Sequence, residues 1–267
     1  MLVIYLFVIS VLLCPSSYSQ QDSSASHNSI ILSDLTALWH HSGDILTSPT
    51  HFSKKEWLTA STIIVGTTVL FTVDESIRSI AMRNQAHSSD NLFELGKHYG
   101  RAVNAFAFSG VLYLGGLAFQ ISDVRLTGLM LVEALALSGI TTTVLKSVAG
   151  RRKPYLEEGP YSYQGFQFKF ETSSLSSGHA TIAFAVSSVL AERIKNIYAA
   201  VGLYSLAALT AISRIYHDEH WLSDVFLGTA IGTGFGVSAV KLNDFVHEGT
   251  AFRIVPTLNG LRVEVVF

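Results

Sequence analysis

From residue 57 onward the chain is a succession of apolar runs. Residues 57–73 and 105–121 contain no Asp, Glu, Lys or Arg, and 126–145 contain only Glu133. Residues 180–191 form a shorter run, followed by 197–213 and by 221–240, which Asp224 interrupts. All but one of these runs reach the lower end of the roughly 20 residues that cross a bilayer as a helix. Glycines recur within them (Gly115, Gly116, Gly228, Gly232, Gly234, Gly236), as close helix contact requires. Near the end of the chain, Leu261-Arg262-Val263-Glu264-Val265 alternates apolar and polar after Asn259-Gly260, a hairpin signal. The pattern predicts an all-α, multi-helix bundle of about six core helices over residues 56–245, with a small C-terminal β-hairpin over 250–267.

The first 55 residues differ. An apolar stretch, Leu2 to Leu13, precedes Ser17-Tyr18-Ser19, which places small residues before Gln20. This reads as a secretory signal peptide over residues 1–19, although its start lacks a Lys or Arg. An uncleaved anchor is one alternative. A lipoprotein through Cys14 is another, which Leu13 disfavours by its size. Residues 20–55 are rich in Ser, His and Asp and read as an irregular entry segment with one short helix within 31–40.

Composition narrows the function. Only 14% of the 267 residues are charged, 49% are hydrophobic and the formal net charge is -2. A disordered chain or a nucleic-acid binder would need charge that is absent here. The single cysteine excludes an internal disulfide.

The scarce charge gathers at three helix ends. Lys146, Arg151, Arg152 and Lys153-Pro154 follow one apolar run; Ser176-Ser177-Gly178-His179 precede another; Ser213-Arg214, His220 and Asp224 bridge the last two. A helix N-terminus after Ser177 favours an anion. His220 and Asp224, four apart, share a helix face, where an aspartate would fix the imidazole tautomer. A nucleophile with its orienter, a second histidine and a cationic cradle suit a phosphoryl group.

These residues resemble the type 2 phosphatidic acid phosphatase family, which shares its core with vanadium haloperoxidases. The family pattern is Lys-x6-Arg-Pro, Pro-Ser-Gly-His and Ser-Arg-x5-His-x3-Asp. Here it reads Lys146-x6-Lys153-Pro154, Ser176-Ser177-Gly178-His179 and Ser213-Arg214-x5-His220-x3-Asp224. Two positions depart. Lys153 keeps the charge of the family arginine but loses its bidentate fork, with Arg152 a possible substitute. Ser176 replaces a proline. The resemblance implies a bundle of that family's type and a metal-independent phosphatase without cofactor. His220 would be the nucleophile, Asp224 its orienter and His179 the general acid and base. Lys146, Lys153, Ser177, the Gly178 N–H and Arg214 would hold the phosphoryl oxygens. The substrate would be a phosphorylated lipid or a small phosphoester. A vanadate-dependent haloperoxidase and a catalytically impaired envelope protein on the same scaffold are the alternatives.

Other polar residues carry less. His217-Asp218-Glu219-His220 lacks the spacing of a zinc hydrolase, and no Gly-x-Ser-x-Gly elbow occurs. His40-His41 reads as exposed. Asp74, Arg78 and Arg83 read as a solvated helix end. Glu133 is a buried-carboxylate candidate, with a motif cation or a structural group as its partner. The loop 155–174 is aromatic-rich, suiting an apolar lipid path or packing over the bundle.

If all six runs span, the three motifs share one side, opposite Arg193 and Lys195, and the positive-inside bias puts the site in the periplasm. Residues before 57 would then be cytoplasmic, as Lys54-Lys55 suggest, which conflicts with a cleaved signal. An uncleaved first segment, a non-spanning 57–73 or a soluble exported bundle would each remove the conflict. The expected location is therefore exported and membrane-associated, with a soluble periplasmic protein as the alternative.

Overall fold

The computed structural model describes residues 27–86, 90–248, 251–257 and 260–266. The expected signal segment, residues 1–19, lies outside them. Among the described residues the body is made of nine α-helices: α1 (His27–Thr47), α2 (Lys54–Phe71), α3 (Asp74–Arg83), α4 (Asp90–Tyr99), α5 (Ala102–Ala118), α6 (Ser122–Ala149), α7 (Gly178–Ile194), α8 (Ile197–Tyr216) and α9 (Leu222–Glu248). Two strands follow, β1 (Ala251–Thr257) and β2 (Gly260–Val266), paired antiparallel with each other.

The expectation of about six core helices with a small hairpin is therefore corrected. Six helices match the apolar runs, α1 extends well beyond the short helix expected within 31–40, and α3 and α4 lie in polar sequence where no separate helix was expected. The hairpin is no part of the helical body, since neither strand packs extensively on a helix. The turn expected at Asn259 lies outside the described residues.

Local sequence explains where the helices begin and end. Ser53 and Glu56 form a capping box at the start of α2, with Ser53 N–H donating to Glu56 Oε2 at 2.6 Å. Asn196 Oδ1 accepts from the Tyr198 and Ala199 N–H groups to open α8. α6 runs 28 residues and stops at Gly150, whose φ of 58° is the left-handed cap that glycine adopts without cost. α2 and α3 bend by 60° at their junction.

Packing centres on α6, α7 and α9. Met130, Leu131, Ala134 and Leu135 of α6 meet Ala183, Val186, Val189 and Leu190 of α7 in one core. α7 lies against a Gly228, Gly232, Gly236 stripe on α9. A Cβ at Gly232 would stand 2.2 Å from Thr181 O, so only glycine admits this approach. That contact sets motif two against motif three: Ser177 N–H donates to Asp224 O at 3.0 Å.

In the entry segment the described residues from His27 to Thr47 form a helix, α1, and are not irregular. α1 hides polar groups and exposes apolar ones. Asp34 is buried and accepts from Arg125 at 2.5 Å and from the Tyr113 hydroxyl at 2.9 Å, while Leu32, Leu35 and Trp39 are exposed. His41, expected at the surface, is buried beside Asn243 at 3.3 Å. An inward polar face gives no ordinary amphipathic signal, so the sequence pattern predicted only a short helix within 31–40 and not the full span of α1.

Among the described residues three helices are long and apolar enough to cross a membrane: α6, α8 and residues Leu222–Asn243 of α9. The bent pair α2–α3 makes a fourth if counted as one span. Ile64, Leu114, Ile140 and Val201 are exposed on the outer faces of the helices. This apolar surface suits lipid.

Candidate active site

Three chain segments meet at the end of the bundle where α6 and α8 finish and α9 begins. In motif one, Lys146 sits in the last turn of α6, and its Nζ donates to Ser173 O at 2.7 Å. Gly150 then turns the backbone so that Arg151 points inward. Arg151 is fully buried: Nη1 donates to Asp224 Oδ1 at 2.7 Å and Nη2 to Asp74 Oδ2 at 2.7 Å. Its guanidinium also lies over the Phe71 ring, 4.4 Å from the centroid. The next residue, Arg152, faces the surface and is taken by Glu158 at 2.8 and 3.0 Å. Lys153 returns to the cluster, its Nζ 2.8 Å from Glu219 Oε2. Three consecutive cations thus face three ways, and Lys153 rather than Arg152 joins the group around His220.

In motif two, Ser177 is the N-cap of α7, its hydroxyl accepting from Ala180 N–H at 3.5 Å. Gly178 and His179 form the first helical residues, where backbone N–H groups have no partner within the helix. Ser176 is buried beside Thr142.

In motif three, Arg214 ends α8 and is 4% exposed. Its Nη2 lies 3.6 Å from Glu219 Oε1, while Nε and Nη1 are buried without a partner among the described residues. The turn that follows folds back on this helix end, with Glu219 and His220 N–H both donating to Arg214 O. Asp224 is completely buried and accepts from the Trp221 N–H at 3.0 Å.

Asp224 does not touch His220 directly. Its Oδ2 is 4.0 Å from His220 Nδ1, beyond hydrogen-bond range. The Ser174 hydroxyl stands between them, hydrogen-bonded to Asp224 Oδ2 and 3.4 Å from His220 Nδ1. The Nδ1 edge of the ring is therefore turned toward Ser174 and Asp224, which leaves Nε2 for chemistry.

Electrostatics follow from this crowding. Burial pushes the His220 imidazole well below its ordinary value, and Lys146, Lys153, Arg214 and His179 are near enough to add to the shift. Burial, and then Arg214, push His179 down to about 4. Burial alone would raise the Glu219 carboxyl, but Lys153 and then Arg214 override it and hold it below its usual range.

Several expectations need correction. Asp74 is no solvated helix-end residue: it is buried, holding Arg151 and accepting from Ser223 N–H at 2.9 Å. Arg78 likewise clamps Asp218 from α3, at 2.7 and 2.8 Å. No ion pair joins Glu133 to a motif cation among the described residues. Thirteen residues of helical rise put it roughly 20 Å from Lys146. In the His217–His220 stretch the side chains diverge, Asp218 to Arg78 and Glu219 to Lys153. Sequence reasoning missed Asp74, Ser174, Glu219 and Ser223, and saw Arg151 only as one cation among several.

A family model described as the PAP2 superfamily matches residues 127–247, which contain all three motifs. A lipid A 1-phosphatase of Porphyromonas gingivalis is 34% identical over 78 residues, covering 28% of this chain. The match spans 18% of that relative's length. A transmembrane PAP2-type phosphatidylglycerolphosphate phosphatase from Bacillus subtilis superposes with a TM-score of 0.54 at 19% identity. That superposition covers 72% of this chain and 98% of the other, so the two share a fold. A protein titled LpxE from Aquifex aeolicus superposes with a TM-score of 0.49 at 19% identity, over 63% of this chain and 95% of that one. Over residues 127–247, where the three motifs gather at one end of the bundle, this chain is similar to the PAP2 superfamily.

Proposed function

We propose that this protein is a membrane-associated phosphatase that hydrolyses a lipid phosphomonoester or diphosphate through a phosphohistidine. What carries the reading is the setting of His220. Its Nδ1 edge is backed by Ser174 and Asp224, and Lys146, Lys153 and Arg214 crowd around it. In the proposed first step, His220 Nε2 attacks phosphorus and the bond to the leaving oxygen breaks. His179, which takes up a proton when the negative charge of the phosphoryl group lies beside it, gives that oxygen its proton. The Asp224 carboxylate stabilises the cationic ring that results. In the second step His179 takes a proton from water, the hydroxide attacks phosphorus and the P–N bond breaks, returning neutral His220 and phosphate. Arg214, Lys146, Lys153, Ser177 and the Gly178 N–H carry the charge on the phosphoryl oxygens. With three cations in place, no metal is needed for charge neutralisation.

The lipid assignment is supported by the relative described as a lipid A 1-phosphatase and by the apolar helices. The proposed catalytic unit is residues 56–245. The proposed orientation has the site facing out of the cytoplasm. Arg193 and Lys195 lie at the far end of α7, and Lys54 and Lys55 begin α2, whose other end, Phe71, meets Arg151. That distribution fits positive-inside.

The test is vanadate-sensitive, chelator-resistant phosphate release from a lipid phosphate by the purified chain. It should be abolished in His220→Ala, with a 32P-labelled protein adduct trapped by quenching in detergent at alkaline pH, where a phosphohistidine survives, in the wild type only. Undiminished turnover in His220→Ala would refute the mechanism.

A further inference from the structure

We infer that the loop over residues 155–170 is a membrane-docking element that seats at the headgroup–acyl boundary and presents the site to substrates embedded in the same leaflet. The inference deepens the proposed function by naming the surface that would make it selective for lipid-borne esters. Three observations support it.

First, the loop exposes large rings. Phe166 and Phe168 are 70% and 72% exposed and stack edge to face at 5.1 Å, while Tyr161, Tyr163 and Phe170 are also exposed. Burial in the protein is the ordinary fate of phenylalanine, so an exposed set marks an interaction surface.

Second, the loop is fastened. Gln164 N–H donates to Gly150 O at 3.0 Å and Gln167 N–H to Ser147 O at 2.8 Å. The Tyr161 hydroxyl donates to Phe71 O at 3.1 Å. Gly165 O lies 2.2 Å from where a Gly150 Cβ would be, so the two backbones are in direct contact. The backbone therefore holds the rings outward.

Third, the loop has a fixed depth. The candidate spans α6 and α8 end here, at Ala149 and Tyr216, and α9 begins here, at Leu222. A residue fastened to the last turn of a span lies at the level of the membrane–water interface, where aromatic side chains are most at home. The same segment ends at Ser173 and Ser174, which contact Lys146, Asp224 and His220. Docking and catalysis are thus one continuous stretch of chain.

The occupant is a lipid bilayer, and the experiment compares two esters on the full-length chain in proteoliposomes. For the Phe166→Ser/Phe168→Ser double variant, the KM for a long-chain phosphatidate presented in vesicles should rise about tenfold, as loss of interfacial anchors predicts. Turnover of soluble p-nitrophenyl phosphate should stay within about twofold of wild type, since neither ring belongs to the proposed phosphate cradle. Phe166→Leu/Phe168→Leu should restore the lipid KM. Equal loss on both esters, or no change on either, would overturn the inference. A second readout needs no activity: a spin label on Phe168→Cys, in a Cys14→Ser background, should meet oxygen more often than a water-soluble nickel chelate. The reverse preference would overturn docking. A bilayer-embedded label in a chain that hydrolyses neither ester would support docking while sinking the phosphatase assignment.

Discussion

Arg151 Nη1 donates to Asp224 Oδ1 across 2.7 Å, with both side chains fully shielded from solvent. The other guanidinium nitrogen, Nη2, holds Asp74, a residue 77 positions earlier in the chain. Asp74 in turn takes the backbone and hydroxyl of Ser223. The carboxylate behind His220 is thus fixed by a buried ion triad, because two acids around one guanidinium satisfy each other in a place without water.

Arg151→Met should be strongly destabilising, by about 3–5 kcal/mol, because two buried carboxylates lose their counter-charge. Arg151→Lys keeps a cation but not the fork. Its expected effect is a kcat at least roughly tenfold lower with KM little changed, the mark of a residue that positions the machinery without binding substrate. Steady-state kinetics beside thermal unfolding separate the two variants.

Ser174→Ala should lower kcat about tenfold while leaving inhibition by vanadate nearly unchanged, since the hydroxyl bridges Asp224 to His220 and takes no part in the proposed phosphate cradle. A parallel loss of vanadate affinity would show that Ser174 touches the anion instead.

Glu219→Gln should tighten inhibition by vanadate or inorganic phosphate about threefold. The Glu219 carboxylate is held by Lys153 and faces Arg214, so it competes with an incoming anion for the same cations. Weaker inhibition would mean that Glu219 orients Lys153 productively.

Acid should destabilise the fold through its two site histidines. In the folded chain burial holds His179 at about 4 and His220 well below its ordinary 6.5. The unfolded chain therefore binds more protons between pH 6.5 and 4, and stability falls as pH drops through that window. His179→Asn should flatten the fall of the thermal midpoint over the same range. An unchanged slope would mean that His179 is more accessible than its burial indicates.

How much of this was legible beforehand differs from residue to residue. Lys146, His179, Arg214, His220 and Asp224 stand out because their spacing resembles the motifs of the type 2 phosphatidic acid phosphatase family. The six apolar runs are equally plain, since helices that face other helices or lipid on most sides must be apolar along their length. Tertiary structure decided the rest. Nothing in Arg151-Arg152-Lys153 says which cation turns inward; the left-handed Gly150 and two distant acids select Arg151. Asp74 looks like a helix-end charge until α3 folds over α9. Ser174 is one serine among several until the loop carries it between His220 and Asp224. Of α1 only a short helix within 31–40 was legible, because Asp34 faces inward to Arg125 while Leu32 and Leu35 face outward. The sequence determined which chemical groups are present and which segments avoid water. Only folding decided which charges meet, because a buried charge is fixed by its partner, and here the partners lie far apart along the chain.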